Sequence, residues 1–294
     1  TDYNYLARAM AFEAREGRGP FYLDCSDMKP EDKEIMIPVA GWTGVQYQQL
    51  LKAGIKPFEE RQEWTATPWC CHHVHSDLEM RTKVPGLFVA GVMRNIDPGI
   101  YFGGWSLCKT AATGRWAAES VAKYIKEMAR PPRITAKEVA VLKEAALAPL
   151  GKKGLDPEQV LHTLQQAFFP NIILKTETDL RKTLQKVEEI RDDLLPQMRA
   201  SDLHRLAKAK GMRSMVLIAE LILRASMMRT ESRASHYRED YPDRDDKDWL
   251  KWIIVKQQDG KLNFRYEPLP LERYKHKTWR YYGDYFTFPR AKRS

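Results

Sequence analysis

Val84–Tyr124 reads VPGLFVAGVMRNIDPGIYFGGWSLCKTAATGRWAAESVAKY. Gly86-Leu87-Phe88-Val89-Ala90 predicts a short buried strand that ends on Gly91. A glycine-bearing loop follows. Gly103-Gly104-Trp105-Ser106-Leu107 then opens a helix rich in small residues. Backbone amides at a helix start, preceded by glycines that permit close approach, suit an electron-rich ligand edge. A close helix–strand packing turn would also call for glycines, so the residues alone leave both readings open.

The surroundings narrow the choice. A chain of 294 residues has room for one large domain or two modest ones. With 43% hydrophobic and 30% charged residues it reads as globular. No apolar run is long enough to span a membrane. The net charge of +9 is spread along the chain without a nucleic-acid motif, so nucleic acid is not expected. A basic surface for an acidic partner or an anionic substrate fits as well. Cys25, Cys70, Cys71 and Cys108 form no CxxC pair and no ferredoxin-type spacing. The chain is expected to hold no iron–sulfur cluster of its own and to reside in a reducing compartment. Thr1 opens the sequence without a signal pattern and a helix-like segment, Tyr5–Glu16, follows at once, so the chain reads as beginning inside a longer protein.

Further along, Gly17-Arg18-Gly19-Pro20 predicts a turn and Phe21–Asp24 a short strand. Arg130-Pro131-Pro132-Arg133 ends the helix that follows Gly104. Asp156 and Gln159 form a capping-box pattern. Leu180, Leu184, Val187 and Ile190 recur at helical spacing, and Met215–Met228 reads as the buried helix of a bundle. Ile253-Ile254-Val255, Asp259-Gly260 and the alternation of Leu262, Phe264 and Tyr266 predict a hairpin. Arg273–Ser294 interleaves seven basic residues with seven aromatics against one acid, Asp284. Such a tail suits packing against a partner rather than free coil.

Val84–Tyr124 resembles the second flavin-contacting segment of the fumarate reductase/succinate dehydrogenase flavoprotein family, "GLFAAGE…GGNSL…A…G..AA". Arg229–Asp246, RTESRASHYREDYPDRDD, is similar to the same family's C-terminal signature, in the expected order. Arg15-Glu16-Gly17-Arg18-Gly19 resembles the family's REGRG stretch. The resemblance implies an FAD-dependent oxidoreductase of mixed α/β and all-α class. Residues 1–63 would be the remainder of a capping domain and 64–130 the C-terminal part of a Rossmann-like FAD-binding domain. A linker (131–156), a helical domain (157–232) and a C-terminal extension with hairpin and tail (233–294) would follow. Gly91, Gly103, Gly104, Ser106 and Leu107 would contact the flavin. GxGxxG is absent, so the dinucleotide-binding half would lie elsewhere. An iron–sulfur subunit would take the electrons, and the location would be cytoplasmic, or peripheral to a membrane complex.

Arg18 matches the family arginine that delivers a proton to substrate. As a free group arginine is a poor acid, and Glu16 is the carboxylate nearest in sequence. In Pro68–His75, PWCCHHVH, His73 and His75 would share one face of a strand while His72 faces away. No acidic or cysteine set completes a metal site, and none is expected. The family's substrate-carboxylate histidine falls near this run, with Pro68 in strict register, so His72, His73 or His75 would serve by a local shift, His73 and His75 being the candidates taken forward. Val92 stands where the family has an acid, and Tyr101 where it has a carboxylate-clamping arginine. These departures imply a small substrate other than a plain dicarboxylate. Two alternatives follow. One is an adenylylsulfate reductase, since those enzymes share a Tyr-Arg-x-Asp-Tyr-Pro run (here Tyr237–Pro242). The other is a non-catalytic subunit for assembly.

Overall fold

Local rules decide where the helices start. A computed structural model of the chain describes residues 3–39, 41–64, 73–94, 105–130, 132–151 and 153–273. Within it α6 (Pro157–Phe168) begins at Asp156, whose side chain accepts from the Glu158 amide at 2.9 Å while the Gln159 side chain accepts from the Asp156 amide at 3.2 Å. Proline at the first helical position gives up an amide that would have no partner there. The expected capping box is therefore present.

The chain divides into two compact units, Tyr3–Pro68 and Trp69–Ser294. In the first, α1 (Tyr3–Arg15) buries Ala7 and Met10 against Leu6, Phe21 and Trp64. Two-residue strands β1 (Tyr22–Leu23) and β2 (Gln62–Glu63) pair antiparallel, and helices α2 (Pro30–Val39) and α3 (Gly41–Lys52) lie between them in sequence.

The second unit holds α4 (Trp105–Glu127), α5 (Ala136–Leu147) and a helical core. That core is built from α6, α7 (Glu177–Glu189) and α8 (Leu203–Met228). Val160, Leu180, Leu184, Val187, Val216 and Leu223 are buried together in it. Each such side chain contributes about 1.5–3 kcal/mol relative to exposure. Leu180, Leu184, Val187 and Ile190 point inward as their spacing predicts, although Ile190 starts a π-helical turn, Ile190–Leu194. The parallel pair β3 (Leu174–Lys175) and β4 (Tyr237–Arg238) ties the start of α7 to the segment after α8. The predicted hairpin is β5 (Lys251–Gln258) and β6 (Lys261–Pro268), turning at Asp259 and Gly260, both at positive φ. Two positive φ values suit the Asp-Gly signal.

The structure corrects three expectations. Gly86–Ala90 is not a ladder strand: among the described residues Phe88 bridges only Arg81, and the Thr82 and Val89 amides bond to the Leu87 and Met80 carbonyls across a tight turn. Leu87 is half exposed, so the apolar run overstated the burial. His73–Asp77 is likewise irregular, not a strand. Met215–Met228 is not buried all round; α8 begins at Leu203, and Met215, Leu217 and Ile218 lie on an open face. The basic aromatic tail beyond Arg273 lies outside the described residues, as do Gly103 and Gly104.

Segment 149–155 runs alongside 197–200 through reciprocal backbone bonds, Leu155 N to Gln197 O and Arg199 N to Leu155 O. Gly154 permits this approach, because a Cβ there would lie 2.4 Å from the Gln197 carbonyl oxygen. Gly154→Ala is expected to destabilise the chain by about 1–3 kcal/mol, read as a lowered urea midpoint at unchanged slope.

Candidate functional site

The turn after Ala90 is fastened to α4 rather than to a sheet. Gly91 adopts φ +62°, a conformation that disfavours a Cβ. Its amide donates to the hydroxyl of fully buried Thr113 at 2.8 Å, and that hydroxyl donates to the Lys109 carbonyl at 2.6 Å. One side chain thus joins the turn Gly91–Arg94 to the second and third turns of α4. Ser106 and Leu107 lie in the first turn of this helix, where backbone amides have no partner within the helix. Leu107, Val92 and Met93 are all exposed apolar residues. The structure therefore brings Gly91 onto the helix that carries Ser106 and Leu107. Thr113, which makes the fastening, gave no signal in the sequence beyond being small.

The two described histidines of the cluster have different partners. His73 meets the Val92 carbonyl through Nδ1 at 3.3 Å, beside a bond from the Val74 amide to the Met93 carbonyl. His75 meets Glu267 of β6 through Nε2 at 3.3 Å. Among the described residues no group of three His, Cys, Asp or Glu side chains is placed to hold a metal ion. Glu267, 192 positions from His75, could not be found by spacing.

Arg18 belongs to the first unit. Its guanidinium donates to Glu13 and, at 2.5 Å, to Glu16. Both bonds, that to Glu13 first, hold the arginine above its ordinary pKa. As placed it is a firmly charged donor, suited to gripping an anion.

Arg229–Asp246 forms a buried polar network. Arg238, fully buried, donates to both oxygens of Asp240 at 2.7 Å, to Glu177 at 3.1 Å and to the Ser226 carbonyl at 2.8 Å. Glu231, also fully buried, accepts from Arg229 at 2.5 Å, from Arg233 at 2.9 Å and from the Asp245 amide at 2.9 Å. His236 donates through Nε2 to the Arg229 carbonyl at 3.2 Å. Burial first, then the charges of Lys175, Arg229 and Arg238, push its pKa down to about 3. Burial, with three neighbouring cations, keeps the ring neutral within this network.

Residues 162–282 match the family model described as the fumarate reductase flavoprotein C-terminal region. Over that stretch the chain is similar to the C-terminal region of fumarate reductase flavoproteins. It is 26% identical over 260 residues to an uncharacterised FAD-dependent oxidoreductase of Methanocaldococcus jannaschii, covering 85% of this chain and 46% of that protein. A polypeptide of the CoM/CoB fumarate reductase of Methanothermobacter marburgensis is 26% identical over 268 residues, covering 86% and 46%. The chain thus spans about half the length of the curated relatives it matches. In fold it resembles adenylylsulfate reductase of Archaeoglobus fulgidus (TM-score 0.68, 21% identity, 95% of this chain and 51% of that one). It also resembles a quinol–fumarate reductase solved with menaquinol (TM-score 0.75, 20% identity, 90% and 49%).

The neutral His236 makes a pH prediction. Its folded pKa lies below the 6.5 of an unperturbed histidine, so the unfolded chain takes up the proton first as pH falls. Stability is highest above pH 6.5 and is lost as pH drops toward 3. The loss between pH 7.5 and 5 is expected to be about 2 kcal/mol, measured as urea midpoints. His236→Asn should flatten the slope relative to the parent.

Proposed function

We propose that the chain is the C-terminal portion of the flavoprotein subunit of an FAD-dependent oxidoreductase acting on a small anionic substrate. The observation that carries this reading is the fastening of Gly91 to α4 through Thr113, which couples a left-handed turn to a helix start flanked by exposed Val92, Met93 and Leu107. Those residues fit a flavin: first-turn amides offer donors to its electron-rich edge, and the apolar side chains offer a surface to a flat ring. Gly91, Gly103, Gly104, Ser106 and Leu107 would hold it. FAD supplies hydride transfer with the substrate and onward passage of electrons.

In this reading 1–63 completes a capping domain, 64–130 a Rossmann-like FAD-binding domain whose dinucleotide-binding half lies elsewhere, and 131–156 a linker. The bundle at 157–232 and the extension at 233–294 support them. The electron acceptor would be an iron–sulfur subunit, with the tail at 273–294 as its docking segment, in a complex in or facing the cytoplasm. His73 and His75 would meet the substrate's anionic group. In the first unit Arg18 would grip an anion, because the exposed ion pairs to Glu13 and Glu16 are of little worth and are readily exchanged for a substrate anion. Giving up a proton from Arg18 would require those carboxylates to restore it.

A second reading, an adenylylsulfate-reductase-like enzyme, is favoured by the Tyr237–Pro242 run and the long hairpin after it, β5 and β6. Turnover of adenylylsulfate by the purified full-length flavoprotein would favour this second reading, and poor fumarate reduction is expected under either because Tyr101 stands in place of the clamping arginine. Absence of visible flavin absorbance in that preparation would refute both in favour of a non-catalytic subunit. Arg18→Ala and Arg18→Lys are each expected to lower turnover at least ~100-fold with flavin content unchanged. Parent-like turnover in Arg18→Ala would remove Arg18 from the reaction.

A further inference from the structure

The pair His75–Glu267 joins a loop beside the Gly91 turn to the C-terminal hairpin. It spans 192 positions and is partly open to solvent on both sides, with side-chain exposures of 40% and 30%. A pair so exposed contributes only about 0–1 kcal/mol to folding, so stability is a weak reason for it. The rest of the geometry is more telling. Glu267 is presented by the long ladder of β6, opposite Trp252 of β5, so its backbone is held in register. Its other oxygen accepts from Arg265 at 2.5 Å. Hydrogen bonding from Arg265 first, and from His75 after it, keeps the carboxyl below the usual carboxylate range, so it faces the ring as an anion. On the other side, the Val74 amide bonded to the Met93 carbonyl pins the backbone next to His75.

We propose that Glu267 is the positioning residue for His75, accepting from Nε2–H and so leaving Nδ1 as the ring position that, in the imidazolium form, donates to the anionic group of a small substrate. This rests on the reading above that His75 meets substrate. An imidazole with one nitrogen committed to a protein carboxylate has a defined tautomer and ring orientation. In the imidazolium form the ring donates Nε2–H to Glu267 and Nδ1–H to the ligand, so the hydrogen bond to Glu267 fixes the direction in which the second donor points. Arg265 shares the carboxylate and stops it from swinging away from the ring. The hairpin thereby becomes part of the substrate site although no residue of it carries a recognisable signature.

The test is nitrogen NMR of the chain labelled with 15N-histidine, compared with Glu267→Gln and Glu267→Ala. Neutral His75 in the parent is expected as the Nε2–H tautomer. Glu267→Gln, whose amide oxygen still accepts, should retain it, and Glu267→Ala should give a mixture. An unchanged His75 spectrum in Glu267→Ala, or an Nδ1–H tautomer in the parent, overturns the proposal. In the flavin-loaded full-length protein, malonate serves as the dianion probe, read by perturbation of flavin absorbance. Glu267→Ala is expected to weaken malonate about fivefold while Glu267→Gln stays within twofold of the parent. A tautomer that depends on Glu267 with unchanged malonate affinity would overturn the substrate role of His75 and leave the flavoprotein reading standing. Absence of flavin altogether would overturn that reading instead.

Discussion

The buried guanidinium of Arg238 is the constraint on which the second unit depends. A fully desolvated arginine is tolerated only when its charge is matched and its donors are used. Here Asp240 takes two bonds, Glu177 one and the Ser226 carbonyl one, and the group lies over the Tyr241 ring. These partners come from α7, from the end of α8 and from the residues just after β4. The charge therefore closes the junction of those elements. Losing any one partner would leave a buried charge under-compensated, a penalty of several kcal/mol.

A second node repeats the logic with the sign reversed. Glu231 is the buried anion, and Arg229 and Arg233 are its cations. Arg229 then reaches onward, donating to the Lys251 carbonyl at 2.7 Å and stacking over the Trp249 ring. Trp249 in turn meets Tyr266 edge to face. The base of the hairpin is thus carried by the buried charges. The position of Glu267, further along the same strand, follows from them.

The sequence revealed the elements whose causes are local. Asp156 and Gln159 spelled a cap, Asp259-Gly260 a turn, and the leucines at 180 and 184 a buried helix face, because each rule acts within a few residues. The Gly91 turn was legible as a glycine position but its fastener was not. Thr113 is one small residue among many in α4, and only the fold brings it to the Gly91 amide. The five-residue apolar run at 86–90 was misread for a related reason. Apolar periodicity reports suitability for burial, whereas a ladder also needs a neighbour, and among the described residues Phe88 finds only Arg81. His75–Glu267 was beyond reach altogether, since 192 positions separate the two residues and nothing near either one points to the other.

Arginine has two fates in this chain, and magnitude separates them. Arg238 has no exposed surface, and Arg229 and Arg233 keep only 17% and 28% of theirs, so exchanging their carboxylates for anything else would strand a charge in the interior. Arg18 keeps 54% of its side-chain surface, with Glu13 and Glu16 comparably open. There water screens the pairs and each is worth little. The energetic cost of parting Arg18 from its carboxylates is correspondingly small, and an incoming anion can take their place. Burial makes the arginines of Arg229–Asp246 permanent parts of the architecture, and exposure leaves Arg18 available for a ligand, although all four are arginines paired with acids.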